Sequence, residues 1–121
     1  MVEHNPERLF VPLATEPFID FRDRGKEVEV RKNGHQYTIK TIIDGRLVEL
    51  RLGYSGKESI WGNIGQIVVG SWEDIFEIFE LMRVEPRFTT TKDAIKDNEA
   101  LFGKHQELIA FEVKNKKLVK R

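Results

Sequence analysis

Cysteine is absent from the 121 residues, which excludes disulfides and thiolate metal sites. Histidine is sparse. His4, His35 and His105 are scattered, with no ligand partner at i+3 or i+4, so neither a metal centre nor a cofactor is expected. No apolar run approaches the ~20 residues that cross a bilayer, and the N-terminus lacks a signal-peptide core. The expected setting is therefore the cytoplasm, with no membrane partner. An excess of one charge is missing too, because 20 basic residues balance 20 acidic ones. Broad, non-specific polyanion binders are strongly basic, so the balance argues against that class and leaves room for a local basic patch. No serine sits in a nucleophile elbow, and no glycine loop has phosphate-binding spacing.

Hydrophobic residues make up 40% of the chain and charged residues 33%, a composition that folds and stays soluble. The length suits one domain, expected over residues 8–121 after a loose, polar arm at 1–7. Leu9, Val11 and Leu13 alternate as in a short strand. Thr15 is placed to cap a helix with Pro17 in its first turn, a buried stripe of Phe18, Ile19 and Phe21, and Gly25 at its end. Residues 27–32, 35–43 and 46–52 read as strands joined by Asn33-Gly34 and Asp44-Gly45, both hairpin signals. They predict an antiparallel meander with Val28, Val30, Tyr37, Ile39, Val48, Leu50 and Leu52 on one face. Glu27, Glu29, Arg31, Gln36, Thr38, Lys40, Glu49 and Arg51 would line the other, open to solvent or a ligand.

Farther on, residues 60–70 are punctuated by glycine, and 66–69 is their best strand. Ser71 with Asp74 forms a helix start, followed by Trp72, Ile75, Phe76, Phe79 and Met82 at helical spacing. Residues 83–88 read as a turn. Thr90 or Thr91 caps another helix through Phe102, closed by Gly103. Residues 107–113 read as a buried strand, 114–117 as a turn and 118–121 as a basic tail. The fold class is thus α+β, mainly β. Five to six strands closed into a small barrel would leave no exposed edges, with about three short helices around them.

Charge is concentrated where the first helix hands over to a strand, at Lys26, Glu29 and Arg31. On a strand Glu29 and Arg31 share a face, and Lys26 reaches that face from the preceding turn. The carboxylate between two cations orients the Arg31 guanidinium, whose planar fork suits a phosphate or carboxylate. Lys26 supplies a point charge or, if desolvated, a base or nucleophile. An exposed salt-bridge cluster is the plainer alternative. Tyr54, Ser55 and Lys57 occupy a glycine-flanked loop that can close over a ligand and stack Tyr54 on a base. Trp61 is a second candidate platform. Trp72 keeps helix spacing and reads as core.

The run around Lys26, Glu29 and Arg31 resembles the hallmark of the ASCH domains, Gly-x-Lys-x-x-Glu-x-Arg between a helix and a strand. Arg24 stands at the glycine position and Gly25 comes one residue late. The order of elements over roughly residues 8–113 is similar to that family's, which belongs to the PUA-like barrel superfamily. The resemblance implies a PUA-like barrel and RNA binding beside the motif. It also implies a possible hydrolase, because some members look like amidohydrolases on acylated cytidine or like ribonucleases. In such an enzyme Lys26 would be nucleophile or base, and Glu85 the nearest match to a further glutamate. Glu29 stands where the deacylating members carry threonine.

The first expectation is therefore a module binding RNA or a nucleotide-like molecule through Arg24, Lys26, Glu29, Arg31, Tyr54, Ser55 and Trp61. A small hydrolase using Lys26, Glu29 and Glu85 is the second. A protein–protein adaptor, favoured by the balanced charge, is the third.

Overall fold

Apolar alternation on five strands builds one sheet with a core on each face. The computed structural model describes residues 8–104 and 106–120; the expected arm at 1–7, His105 and Arg121 lie outside them. The elements run β1 (Leu9–Leu13), α1 (Thr15–Asp23), β2 (Val28–Lys32), β3 (Leu47–Leu52), β4 (Glu58–Gly70), α2 (Trp72–Ile78), α3 (Leu81–Val84), α4 (Thr91–Phe102) and β5 (Leu108–Lys120). The sheet order is β1-β3-β4-β5-β2. β1 runs parallel to β3, and the other pairs are antiparallel.

The architecture is α+β as expected, but the sheet does not close into a barrel. β1 and β2 end it on either side and share no ladder. The expected meander is not formed either. β2 pairs with β5, and residues 35–43 are turns. Asn33-Gly34 makes only an isolated bridge from Gly34 to Tyr37. The physical reason lies in two threonines. The Thr41 hydroxyl accepts from the Thr38 backbone N–H at 3.0 Å and donates to the Gln36 carbonyl at 2.6 Å, while the Thr38 hydroxyl accepts from the Lys40 N–H at 3.1 Å. These local bonds replace a ladder, and Ile39 is left 70% exposed.

The glycine-punctuated stretch is one continuous strand, and the expected turn at 114–117 and tail are the second half of β5. Register shifts at Trp61/Asn63 and Ile64/Ile67 bend the ribbon. Asn115 takes a left-handed φ of 57° opposite the first shift. A Cβ on Gly62 would meet the Lys114 carbonyl oxygen at 2.6 Å, so only glycine fits this approach.

One core joins Leu9, Val11, Leu13, Val48 and Leu50 to Phe18 and Phe21 of α1 and to Ile109, Phe111 and Val113 of β5. The other joins Val28, Val30, Leu108 and Ala110 to Trp72, Ile75, Phe79 and Val84. The expected single apolar face is thus split between two cores. Glu29 and Glu49, expected on an open face, are buried.

Helix α1 starts at Ala14 without a side-chain cap, Thr15 being its first residue. Arg24 is its C-cap, and Gly25 with φ 83° turns the chain out of it. Ile19 is only half-buried, whereas Asp20 is buried beside Phe18 and Phe21. The aromatic helix stops at Ile78, so the expected helix reaching Met82 is two, and α3 takes part of the expected 83–88 turn. α2 opens with the capping box expected at Ser71 and Asp74, both of its bonds present. Ser71→Ala is expected to lower the unfolding free energy by about 1 kcal/mol in urea denaturation.

Candidate functional site

Gly25 sends the chain back across the end of α1, and the Lys26 N–H bonds the Asp20 carbonyl at 3.0 Å. This corner points the Lys26 side chain inward, leaving the residue 3% exposed. Its ammonium donates to the Val84 carbonyl of α3. It lies 3.6 Å from Glu85 Oε1 and 3.9 Å from Glu29 Oε1, and 5.3 Å from the centre of the Phe21 ring. On the far side, Lys116 Nζ donates to the Lys26 carbonyl at 2.7 Å and fixes the corner. Burial pulls the Lys116 ammonium below its ordinary pKa.

Glu29 turns its other oxygen to Arg31 Nε at 2.7 Å. The Arg31 fork also donates to the Tyr37 hydroxyl at 3.3 Å and the Pro12 carbonyl at 2.8 Å, and it stands 5.0 Å from the Tyr37 ring centre. Burial disfavours this guanidinium's charge, but Glu29, helped by Tyr37 and Tyr54, more than offsets that and holds its pKa above the ordinary value. For Tyr37 burial wins over Arg31, and the phenol is raised. Because Pro12 belongs to β1, Arg31 spans the gap between the two edge strands.

Glu85 is held by Asn98 of α4, whose amide donates to Glu85 Oε2 at 3.0 Å and to the Ala94 carbonyl at 2.8 Å. Asp20, 1% exposed, accepts from Arg87 at 2.8 Å and from Arg24 at 3.0 Å. Lys26, Glu29, Arg31 and Glu85 thus face one cleft of about 240 Å³, with Arg87 and Asp97 beside them and Leu13, Pro17, Trp72 and Phe102 as apolar wall. The Trp72 indole N–H is buried and finds no hydrogen-bond partner among the described residues.

The other expected site residues lie apart from this cleft. Arg24 is on the surface, paired with Glu16 and Asp20. Tyr54 and Ser55 are exposed on the loop after β3. Trp61 is on β4, opposite Glu49 of β3 and Lys117 of β5. The sequence reading missed Asp20, Arg87 and Asn98, which hold the carboxylates and the cleft wall; nothing local in the sequence marks them. A wider concavity of about 660 Å³ lies beyond Phe21. Its rim is already engaged, Arg22 with Asp23 and Glu58 and Lys116 with the Lys26 carbonyl. Among the described residues no three histidine or carboxylate side chains group to hold a metal ion, and no helix is long and apolar enough to cross a membrane.

Solved structures share this arrangement of elements. An ASCH protein from Zymomonas mobilis superposes with a TM-score of 0.63 at 12% identity, over 92% of this chain and 69% of that one. A hypothetical protein called PH0355 superposes with a TM-score of 0.65 at 18% identity, over 88% of this chain and 96% of that one. No family model matches the sequence, nor does any curated protein. The chain has the fold of an ASCH domain.

Proposed function

We propose that the cleft binds one nucleoside-sized group, free or as a single exposed unit of RNA. The observation that carries this is the Lys26 ammonium set between the Glu29 and Glu85 carboxylates in a cleft of about 240 Å³. That volume is below the ~300–1,000 Å³ of drug-sized pockets, which suits a base better than a polynucleotide backbone. The carboxylates accept from the amino and imino groups of a base. A site built to pair such groups discriminates strongly against analogues that lack them. Arg31 spends its fork on Glu29, Tyr37 and Pro12, so it acts chiefly by fixing Glu29. Calorimetric titration with cytidine tests this. Glu29→Gln is expected to weaken binding at least ~tenfold, with little dependence on salt because few phosphates are neutralised. Equal binding by parent and variant sinks the reading.

A second reading, a hydrolase of an acylated base, is favoured by the Asn98-held carboxylate of Glu85 beside the Lys26 amine. Lys26 serves as base or nucleophile by giving a proton to Glu85. The freed amine takes a proton from water as the water oxygen adds to the acyl carbon, the bond to the exocyclic nitrogen breaks, and the departing amine takes the proton held by Glu85. Incubation with acylated cytidine should release free cytidine, and Glu85→Gln should stop it. Release at the parent rate would count against this second reading.

A further inference from the structure

We infer that the outer face of β1, β3 and β4 is a second ligand site, one that takes a short single-stranded nucleic-acid segment. It rests on the cleft reading for the class of ligand alone. Alternation puts Arg8 and Phe10, Glu49 and Arg51, and Ser59 and Trp61 on this face, away from the core that holds Val11, Leu50 and Ile60. Glu49 is fully buried at its centre. It accepts from Arg8 Nε at 2.8 Å, Arg51 Nε at 2.8 Å and the Ser59 hydroxyl at 2.6 Å. One carboxylate therefore fixes two guanidiniums in place.

Both guanidiniums stand against the Phe10 ring, at 5.2 Å and 4.8 Å. Arg8 also lies 6.0 Å from Trp61, and Tyr54 lies 6.0 Å from Phe10. The result is a cluster of three rings and two guanidiniums side by side on one face. Lys117, the cross-strand neighbour of Trp61, adds a third cation.

Single-stranded nucleic acid is the occupant whose chemistry matches. Bases stack on aromatic rings and on arginine planes, and phosphates seek fixed cations. Tyr54, 77% exposed, offers an open ring. A protein partner or second copy would seek a continuous apolar patch, whereas here two cations take up the Phe10 ring.

The test is fluorescence anisotropy of a labelled oligouridylate with the full chain across a salt series. Tyr54→Ala should weaken binding by about tenfold. Lys117→Glu should flatten the salt dependence by about 0.7 in log–log slope for each phosphate it no longer neutralises. Both positions are exposed, so folding, checked by circular dichroism, should be unchanged. Lys92→Glu, on the exposed side of α4 and away from both sites, should leave oligouridylate binding as in the parent. The inference is overturned if the parent does not bind, if Tyr54→Ala and Lys117→Glu both bind like the parent, or if Lys92→Glu weakens binding as much as Lys117→Glu does. It is also overturned if sedimentation shows a dimer that uses this face and excludes the oligonucleotide. If cytidine fails to enter the cleft while Tyr54-dependent binding persists, the cleft reading falls and this one stands.

Discussion

Lys26→Met is expected to lower the unfolding free energy by about 3–5 kcal/mol and to abolish ligand binding in the cleft. Methionine keeps the volume and the contact with Phe21 but leaves Glu29 to Arg31 alone and Glu85 with only the neutral Asn98 amide. Both carboxylates are largely buried, their side chains 8% and 13% exposed, so solvent screens little of the loss. The Val84 carbonyl also loses its donor. Adding Glu85→Gln should recover part of the stability by removing the charge stranded at Glu85, and should not restore binding. Urea denaturation of the parent, both single variants and the double variant measures this coupling. Additive effects would show that Lys26 and Glu85 do not interact, and the account of the cleft floor would be wrong.

Glu49→Gln is expected to cost about 3 kcal/mol, because it removes a charge that pairs with two guanidiniums at a buried point. Arg8 and Arg51 have side chains only 22% and 15% exposed. Burial works to raise the Glu49 pKa, but hydrogen bonds from Ser59, Arg51 and Arg8 more than reverse this and hold it below the ordinary carboxylate range. A carboxylate with a depressed folded-state pKa stabilises the fold above its unfolded value and loses that contribution as the pH falls through the folded value. The parent should therefore weaken as acid is added below the ordinary carboxylate range. Glu49→Gln should weaken less steeply, keeping only the contributions of groups such as Glu112 and Asp74, which backbone N–H groups also hold low. Parallel stability–pH curves for parent and variant would contradict this.

The sequence spoke clearly about local matters and poorly about distant ones. The Lys26, Glu29 and Arg31 spacing gave a shared corner, and Gly25 does turn the chain there. Asn33-Gly34 and Asp44-Gly45 correctly marked turns, but a turn signal does not say which strands pair across it. β2 finds its partner in β5, with Val28 opposite Glu112, at a separation where only the packing of two cores decides. The same distance hid Val84 and Asn98, which reach Lys26 and Glu85 through tertiary contact alone. Tyr54 and Trp61 stand out in the sequence only as candidate platforms, and it is strand parity that puts Trp61 on the face opposite the core. No inspection of neighbours could separate the two surfaces while the meander was assumed.

The bridge from Arg31 to Pro12 bears on how the protein survives at high concentration. An edge strand with free backbone groups recruits strands from other molecules. β1 offers no N–H at Pro12, and its carbonyl there is occupied by the guanidinium. Losing Arg31 would thus expose a docking point for self-assembly into aggregates at the same time as it frees Glu29. In a screen of binding variants, a substitution at this position would then register as precipitation before any change in affinity could be read.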